Sequence, residues 1–531
     1  MIRLLSLALA ALVLFPLSVS GEPPLHQQID ALVEAGPGAK QADDLEFLRR
    51  VTWDFAGRVP TLPEIDAFES TAAAKRREAA VDRLLDSADF VSHFAEQLDV
   101  MLMERRGSDD TWRSFLRGAV ADRISWEALS RHIINPRAED ERRRGAAGFI
   151  VKRLERYGQN PSDMPGLVRD VGRMFLGVDV QCAQCHDHLF VDDYKQRDYQ
   201  GLFAFLGQAE IRRDTTFPAV SQKLLTGKVE FASVFVGEQM QTGPRIPGGA
   251  ELAIPAFPRG EEYLEPPDRK TRFPGVPKFQ PLAQLADQLT ARETDAFARN
   301  FANRMWWLLM GRGLVHPLDL HHSDNPPSHP ELLALLAEQS RRHEFDIRWL
   351  LRELALTNVY QRSGRSDGTA GMQESAYQVA IERPLTAEQL CRGVTTALEL
   401  RERTLPPCES PDEELWPTDS SLLNEFRQAF ANPPMDPEVD YRPSVKAALF
   451  MMNSDALHKS LKASPVIAEL AKQDEVEPLT EQAYLRVLSR RPTAAERDEA
   501  REFLSGFAHR REGVVDLVWA LLSSTEFLVN H

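Results

Sequence analysis

The chain has 531 residues, 43% apolar and 27% charged, enough for about three domain-sized units and inconsistent with a disordered polymer. Against 63 basic side chains stand 79 acidic ones, a net charge of −16, which argues against the broad cationic surface that binds nucleic acid or anionic lipid. Four cysteines over this length exclude a disulfide scaffold.

At the N-terminus, Met1-Ile2-Arg3 precedes an apolar run from Leu4 to Leu17, broken only by Ser6 and Pro16, and then Ser18-Val19-Ser20-Gly21. A basic start, an apolar stretch and small residues predict a signal peptide over residues 1–20, with an uncleaved anchor as the alternative. No later segment has the length of a membrane-spanning helix. The mature protein is expected in the periplasm or outside the cell, where thiols meet an oxidising environment.

Helical spacing of apolar residues runs from about residue 28 to 210, as in Leu45, Leu48, Phe55 and Phe68, or Phe115, Leu116 and Val120. Thr61-Leu-Pro-Glu64 has the form of a capping box, in which hydroxyl and carboxylate each satisfy a free backbone N–H. Residues 211–281 change character: nine prolines fall between Pro244 and Pro281, and Val229–Val236 alternates. Proline cannot continue a helix or donate within a central strand, so this is a β and loop insert. From 282 to 531 helical spacing returns, with helix starts at Ser328-His-Pro-Glu331, Thr386-Ala-Glu-Gln389 and Thr493-Ala-Ala-Glu496. The expected fold is mainly α, two helical units separated by a proline-rich β/loop insert. One echo joins the ends: Phe47-Leu-Arg-Arg-Val51 leading to Thr61-x-x-Glu64, and Tyr484-Leu-Arg-Val487 leading to Thr493-x-x-Glu496. It is a repeat or a convergent helix-turn signal.

Cys182-Ala-Gln-Cys185-His186 has the Cys-x-x-Cys-His form of a c-type haem attachment site. Two thiols at this spacing can form thioethers to the haem vinyl groups, and the adjacent imidazole can then meet the iron as proximal ligand. Two other readings use the same residues: a zinc site closed by Cys182, Cys185, His186 and His188, or a Cys182–Cys185 disulfide. Candidates for a sixth iron ligand are Met174, Met240, Met305, Met310, His188 and His322. Cys391 and Cys408 are either a second disulfide or two separate thiols. His316, Asp319, His321, His322, Asp324 and His329 crowd a stretch rich in Gly and Pro; the preferred reading is a rigid turn capped by Ser328, the other a second metal site. No phosphate-binding loop, dinucleotide fingerprint, zinc-protease helix or nucleophile elbow is present.

The segments Asp44–Thr61 and Phe175-Leu-Gly-Val-Asp-Val-Gln-Cys182-Ala-Gln-Cys185-His186-Asp187-His188 resemble the cytochrome-like "PSCyt" domain of unknown function abundant in planctomycetes. Ala302-Asn303-Arg304-Met-Trp306, Asn325-Pro-Pro-Ser-His329-Pro-Glu and Ala355-Leu-Thr-Asn-Val-Tyr360-Gln-Arg-Ser363 are similar to its C-terminal "PSD" companion. The resemblance implies a secreted protein, often encoded beside sulfatase-like partners, whose activity is not established. Where such relatives usually carry Pro-Phe after the His-x-His, this chain has Leu189-Phe190, and Tyr194-Lys195-Gln196 replaces Trp-Lys-Gln. The motif lies deep in the chain, so a cytochrome c fold is not expected.

The leading expectation is thus one haem c on Cys182, Cys185 and His186, serving electron transfer or a redox step in extracellular polymer degradation with an unidentified redox partner. The alternative is a non-enzymatic surface or scaffold protein with a disulfide or zinc clip and no haem. A hydrolase built on Asp187, His188 and Asp192 ranks third.

Overall fold

The computed structural model describes residues 22–33, 38–107, 109–155, 162–235, 237–364, 373–400, 421–437 and 444–531. The expected signal peptide and Cys408 lie outside these residues. Among the described residues are 23 α-helices and four two-stranded antiparallel ribbons, so the protein is mainly α. No described helix is long and apolar enough to cross a membrane.

Helix Asp44–Ala56 shows how sequence sets an element and then anchors the chain. Asp43 caps it by accepting the Glu46 N–H at 2.8 Å, and Gly57 ends it with φ 66°, a conformation that costs glycine little. A side chain at Gly57 would also strike the His93 ring, its Cβ 2.4 Å from Nδ1. From Glu46 to Ala56 every residue is buried, because the helix is packed on all sides and not along one stripe. Its two arginines clasp distant backbone: Arg49 donates to the Glu526 carbonyl at 2.8 Å, and Arg50 to the carbonyls of Arg362 at 2.8 Å and His531 at 3.0 Å.

Two apolar cores result. The first joins the helices up to Leu206 with Leu282–Tyr377, and the second runs from Leu385 to Phe527, with Trp53 and Val59 inserted from the first helical region. The boundary between cores therefore falls well beyond the proline-rich insert. Helix Asp295–Met310 explains this, since Phe301 stacks on Trp126 at 6.0 Å between ring centroids and completes the core of the preceding helices. The insert itself forms short ribbons, Ala209–Ile211 with Val220–Gln222, Val229–Ala232 with Gln239–Thr242, and Tyr263–Glu265 with Val276–Pro277. The alternating run stops pairing at Ala232, and Val234 and Phe235 beyond it are exposed.

The echo between the chain ends is three-dimensional. In the first copy, Glu64 accepts the Thr61 N–H at 2.9 Å and pairs with Arg58, which reaches Asp89 Oδ2 through Nε at 2.8 Å. In the second, Glu496 accepts the Thr493 N–H at 2.7 Å and pairs with Arg490, which reaches Glu526 Oε1 through Nε at 2.8 Å. Asp89 and Glu526 sit in matching sequences, Leu84-Leu-Asp-Ser87-Ala-Asp89-Phe90 and Leu521-Leu-Ser-Ser524-Thr-Glu526-Phe527. Ser87 and Ser524 cap the following helices by accepting the N–H of Phe90 and of Phe527. The same arginine-centred helix junction is thus built twice, once in each core.

Charge is also buried where the two halves meet. Asp170 is fully buried and accepts from Arg153 Nε at 2.8 Å and Arg106 at 3.1 Å, while Arg173 binds Glu104 at 2.8 Å and Asp319 at 2.9 Å. Burial pushes the Asp170 carboxyl up, but Arg153, Arg169, Arg106 and Arg173 outweigh it and hold the group at about 2. Asp170→Ala is expected to cost about 3–5 kcal/mol, since it strands buried guanidiniums. The pH dependence follows from the depressed value: the stabilisation is complete above the unfolded value of about 4 and is lost as pH falls toward 2. Urea unfolding of wild type and Asp170→Ala from neutral to acid pH checks both; wild type should lose the Asp170 contribution in that window while the variant shows no such step.

Candidate functional site

The segment that carries Cys182 is set by the turn before it. Helix Met164–Val171 runs into a wider π turn, Gly172–Leu176, which stops at Gly177 with φ 72°. Only glycine fits there, because a Cβ would stand 2.7 Å from the His321 ring. The chain then pairs with the 316–329 loop: Asp179 N–H donates to Asp319 O at 3.0 Å and His321 N–H to Gly177 O at 3.0 Å. Asp179 Oδ1 accepts the Gln181 N–H at 2.9 Å and starts the single 3-10 turn Cys182–Gln184, anchored by buried Ala183.

On this turn Cys182 and Cys185 are exposed and unbonded, and His186 follows, half-buried. His186 Nδ1 lies 2.6 Å from the Asp187 carbonyl, which can only accept, so the proton is on Nδ1 and the Nε2 lone pair is free. His188 is held the other way. Its Nδ1 accepts the N–H groups of Val191 at 2.9 Å and Phe190 at 3.2 Å, which puts its proton on Nε2. Asp187 Oδ1 accepts the Gln196 N–H at 2.8 Å and starts helix Gln196–Leu206. Lys195 Nζ stands 3.7 Å from both Asp187 and Asp192, and Asp192 is otherwise fully in solvent. Asp187 and His188 therefore organise the loop's backbone, and Lys195 is the group that stands between Asp187 and Asp192.

The insert closes over the same turn. Val234 N–H donates to Cys185 O at 3.1 Å, and Gln196 and Gln200 tie Ala232 O and Gln184 O to the helix beneath. Phe235 packs on the His186 ring at 4.7 Å between centroids. Leu189, Phe190, Val234 and Phe235, all on the two segments that form the site, are exposed at 64%, 86%, 67% and 67%. Phe235 lies against His186 and Phe190 against His188, so exposed apolar side chains stand beside both imidazoles.

Of the sixth-ligand candidates, Met174, Met305 and Met310 are buried in the first core, and Met240 is on the Gln239–Thr242 strand. His188 and His322 flank Tyr194, at 5.9 and 5.5 Å between ring centroids. Among the described residues no group of three or more His, Cys, Asp and Glu side chains is gathered for a metal ion. The 316–329 stretch is a folded turn, with Ser328 N–H on Leu314 O at 2.8 Å and Asn325 Nδ2 on Leu320 O at 2.9 Å. Ser328 does not cap the next helix; His329 precedes it and Pro330 opens it, since proline has no N–H to satisfy. Burial and the nearby Arg299 and Arg304 push His321 down to about 4, so it packs as a neutral ring. Sequence reading missed this loop's role as the seat of the cysteine turn; the signal was Gly177, where a Cβ would strike the His321 ring.

Residues 28–211 match the PSCyt2 family, a protein of unknown function (DUF1549), and residues 283–504 match PSD1, likewise a protein of unknown function (DUF1553). The chain belongs to the proteins that pair these two regions in this order. No curated protein and no solved structure gives a significant match.

Cys391, in contrast to the pair, is buried on helix Ala387–Ala397, and burial pushes its thiol up to about 12. Protein made in a reducing compartment should therefore be alkylated by iodoacetamide at Cys182 and Cys185 while native, and at Cys391 only after denaturation. Peptide mapping by mass spectrometry reads this directly; protection of Cys182 and Cys185 in the native protein would contradict the exposed turn.

Proposed function

We propose that the protein is an exported c-type haem protein, in which Cys182 and Cys185 hold the haem and His186 is the proximal ligand. Its role is electron transfer or a redox step linked to degradation of an extracellular polymer. The observation that carries the reading is the orientation of His186: Nδ1 is tied to a backbone carbonyl and Nε2 is free, the usual arrangement of a metal-bound imidazole. Two exposed thiols on one turn supply the attachment, and the rim of Leu189, Phe190, Val234 and Phe235 is suited to cover an apolar macrocycle. Once attached, the haem would supply a one-electron couple. The protein's own contribution is to hold the turn through Asp187, Gln196 and the 316–329 loop, and to keep His186 in one tautomer.

Exported from a host with c-type haem maturation, the wild type is expected to show a Soret band and a haem stain that survive denaturation. Cys182→Ala with Cys185→Ala should abolish both while the folded helical content is retained. Intact mass separates the competing clip: a chain lighter by two hydrogens, or heavier by one zinc, with no pyridine haemochrome absorbance, would sink the proposal.

A further inference from the structure

A concave site lies at the seam between the two cores, and none of its lining residues is on the cysteine turn. It is an open cavity of about 420 Å³, walled by helices Ala88–Met103 and Asp110–Ala121 on one side and Ala387–Ala397 and Ser421–Phe430 on the other. That size is in the range of small-molecule sites. Its walls carry five arginines against three carboxylates, so in a chain of net charge −16 this surface is locally cationic.

Much of this charge is fixed in place before any ligand arrives. Buried Glu388 takes Arg105 through both nitrogens, at 2.8 and 2.9 Å, and Arg427 Nε at 2.8 Å. Glu96 Oε2 meets Arg392 at 2.7 Å. Two carboxylates thus position three guanidiniums at the cavity wall, each a planar fork suited to oxyanions. Burial pushes the Glu96 carboxyl up to about 7, and Glu388 adds to this against the pull of Arg392 and Arg427. At the mouth, Asn424 and Gln428 present exposed amides one helical turn apart, groups that both donate to and accept from hydroxyls. None of these residues takes part in the proposed haem site.

We propose that this cavity binds a small hydroxylated anion, a sugar acid or sugar ester whose carboxylate, sulfate or phosphate is held by the arginines. The site spans both family regions, so binding would draw on the PSCyt-type and PSD-type parts together. It does not depend on haem attachment, and the two readings stand or fall separately.

Isothermal titration of the full mature chain with glucuronate, a glucose sulfate ester, a glucose phosphate ester and neutral glucose tests the proposal. At least one anion should bind about tenfold or more tightly than glucose, and the one that does identifies the acidic group. Gln428→Trp fills the mouth from an exposed position and should weaken that anion about tenfold without lowering Tm; Arg427→Lys keeps the charge but loses the fork and should weaken it by a similar factor, with a lower Tm because Arg427 also holds buried Glu388. Should no anion surpass glucose, or should both variants bind the anion as wild type does, the proposal is overturned.

Discussion

Much of the arrangement depends on Arg173. Its guanidinium joins Glu104 and Asp170 from the N-terminal helices to Asp319 from the 316–329 loop, and its own carbonyl accepts from Arg304 at 2.8 Å. Taking such charges out of water is costly, and the cost is offset only because each carboxylate meets several guanidiniums in fixed geometry. Having met that condition, the network leaves little freedom for the turn Gly172–Leu176. Asn300 adds to the constraint by donating to the Met174 carbonyl at 2.8 Å. The direction in which the chain leaves Gly177, and hence the placement of Cys182, is decided by these contacts.

The same logic operates at the other seam. Arg49 and Arg50 spend their donors on backbone carbonyls near Val487, Glu526, Arg362 and the C-terminal His531, so the first long helix is a clasp between chain ends. Arg58 and Arg490 each join a capping-box glutamate to an acid at the start of a serine-capped helix. Guanidinium suits all of these places because it keeps its charge and offers five directed donors, where an ammonium would present one compact charge. An arginine-rich interior lets two regions of one chain fold against each other with their polar backbone ends satisfied.

Helices were readable from apolar spacing and capping chemistry, as Thr61, Thr386 and Thr493 show. The limit of the alternating strand was not, because Val234 and Phe235 leave the ribbon to lie beside His186, a choice no local pattern dictates. Nor was the partition of the cores: the apolar stripe of Asp295–Met310 reads the same whether it packs forward or backward along the chain. The roles of Asp187 and His188 were equally hidden, since a carboxylate that orders a backbone and one that does chemistry are the same letter in the sequence. Ser328 was misread as a cap because proline two positions later already supplied the helix start.

By itself the sequence determined the mainly α fold, the pairing of two recognisable regions and the thiol–thiol–imidazole motif, because periodicity, capping and motif spacing are local properties of a chain. Only the tertiary structure decided which imidazole has a free Nε2, that Phe235 lies against it, and that arginines from both regions line one cavity. The His186 orientation is fixed by its neighbour's carbonyl once the turn is folded, and the arginine cavity by hydrogen bonds between residues hundreds of positions apart, as between Arg105 and Glu388. Neither geometry is written in the local pattern of residue types.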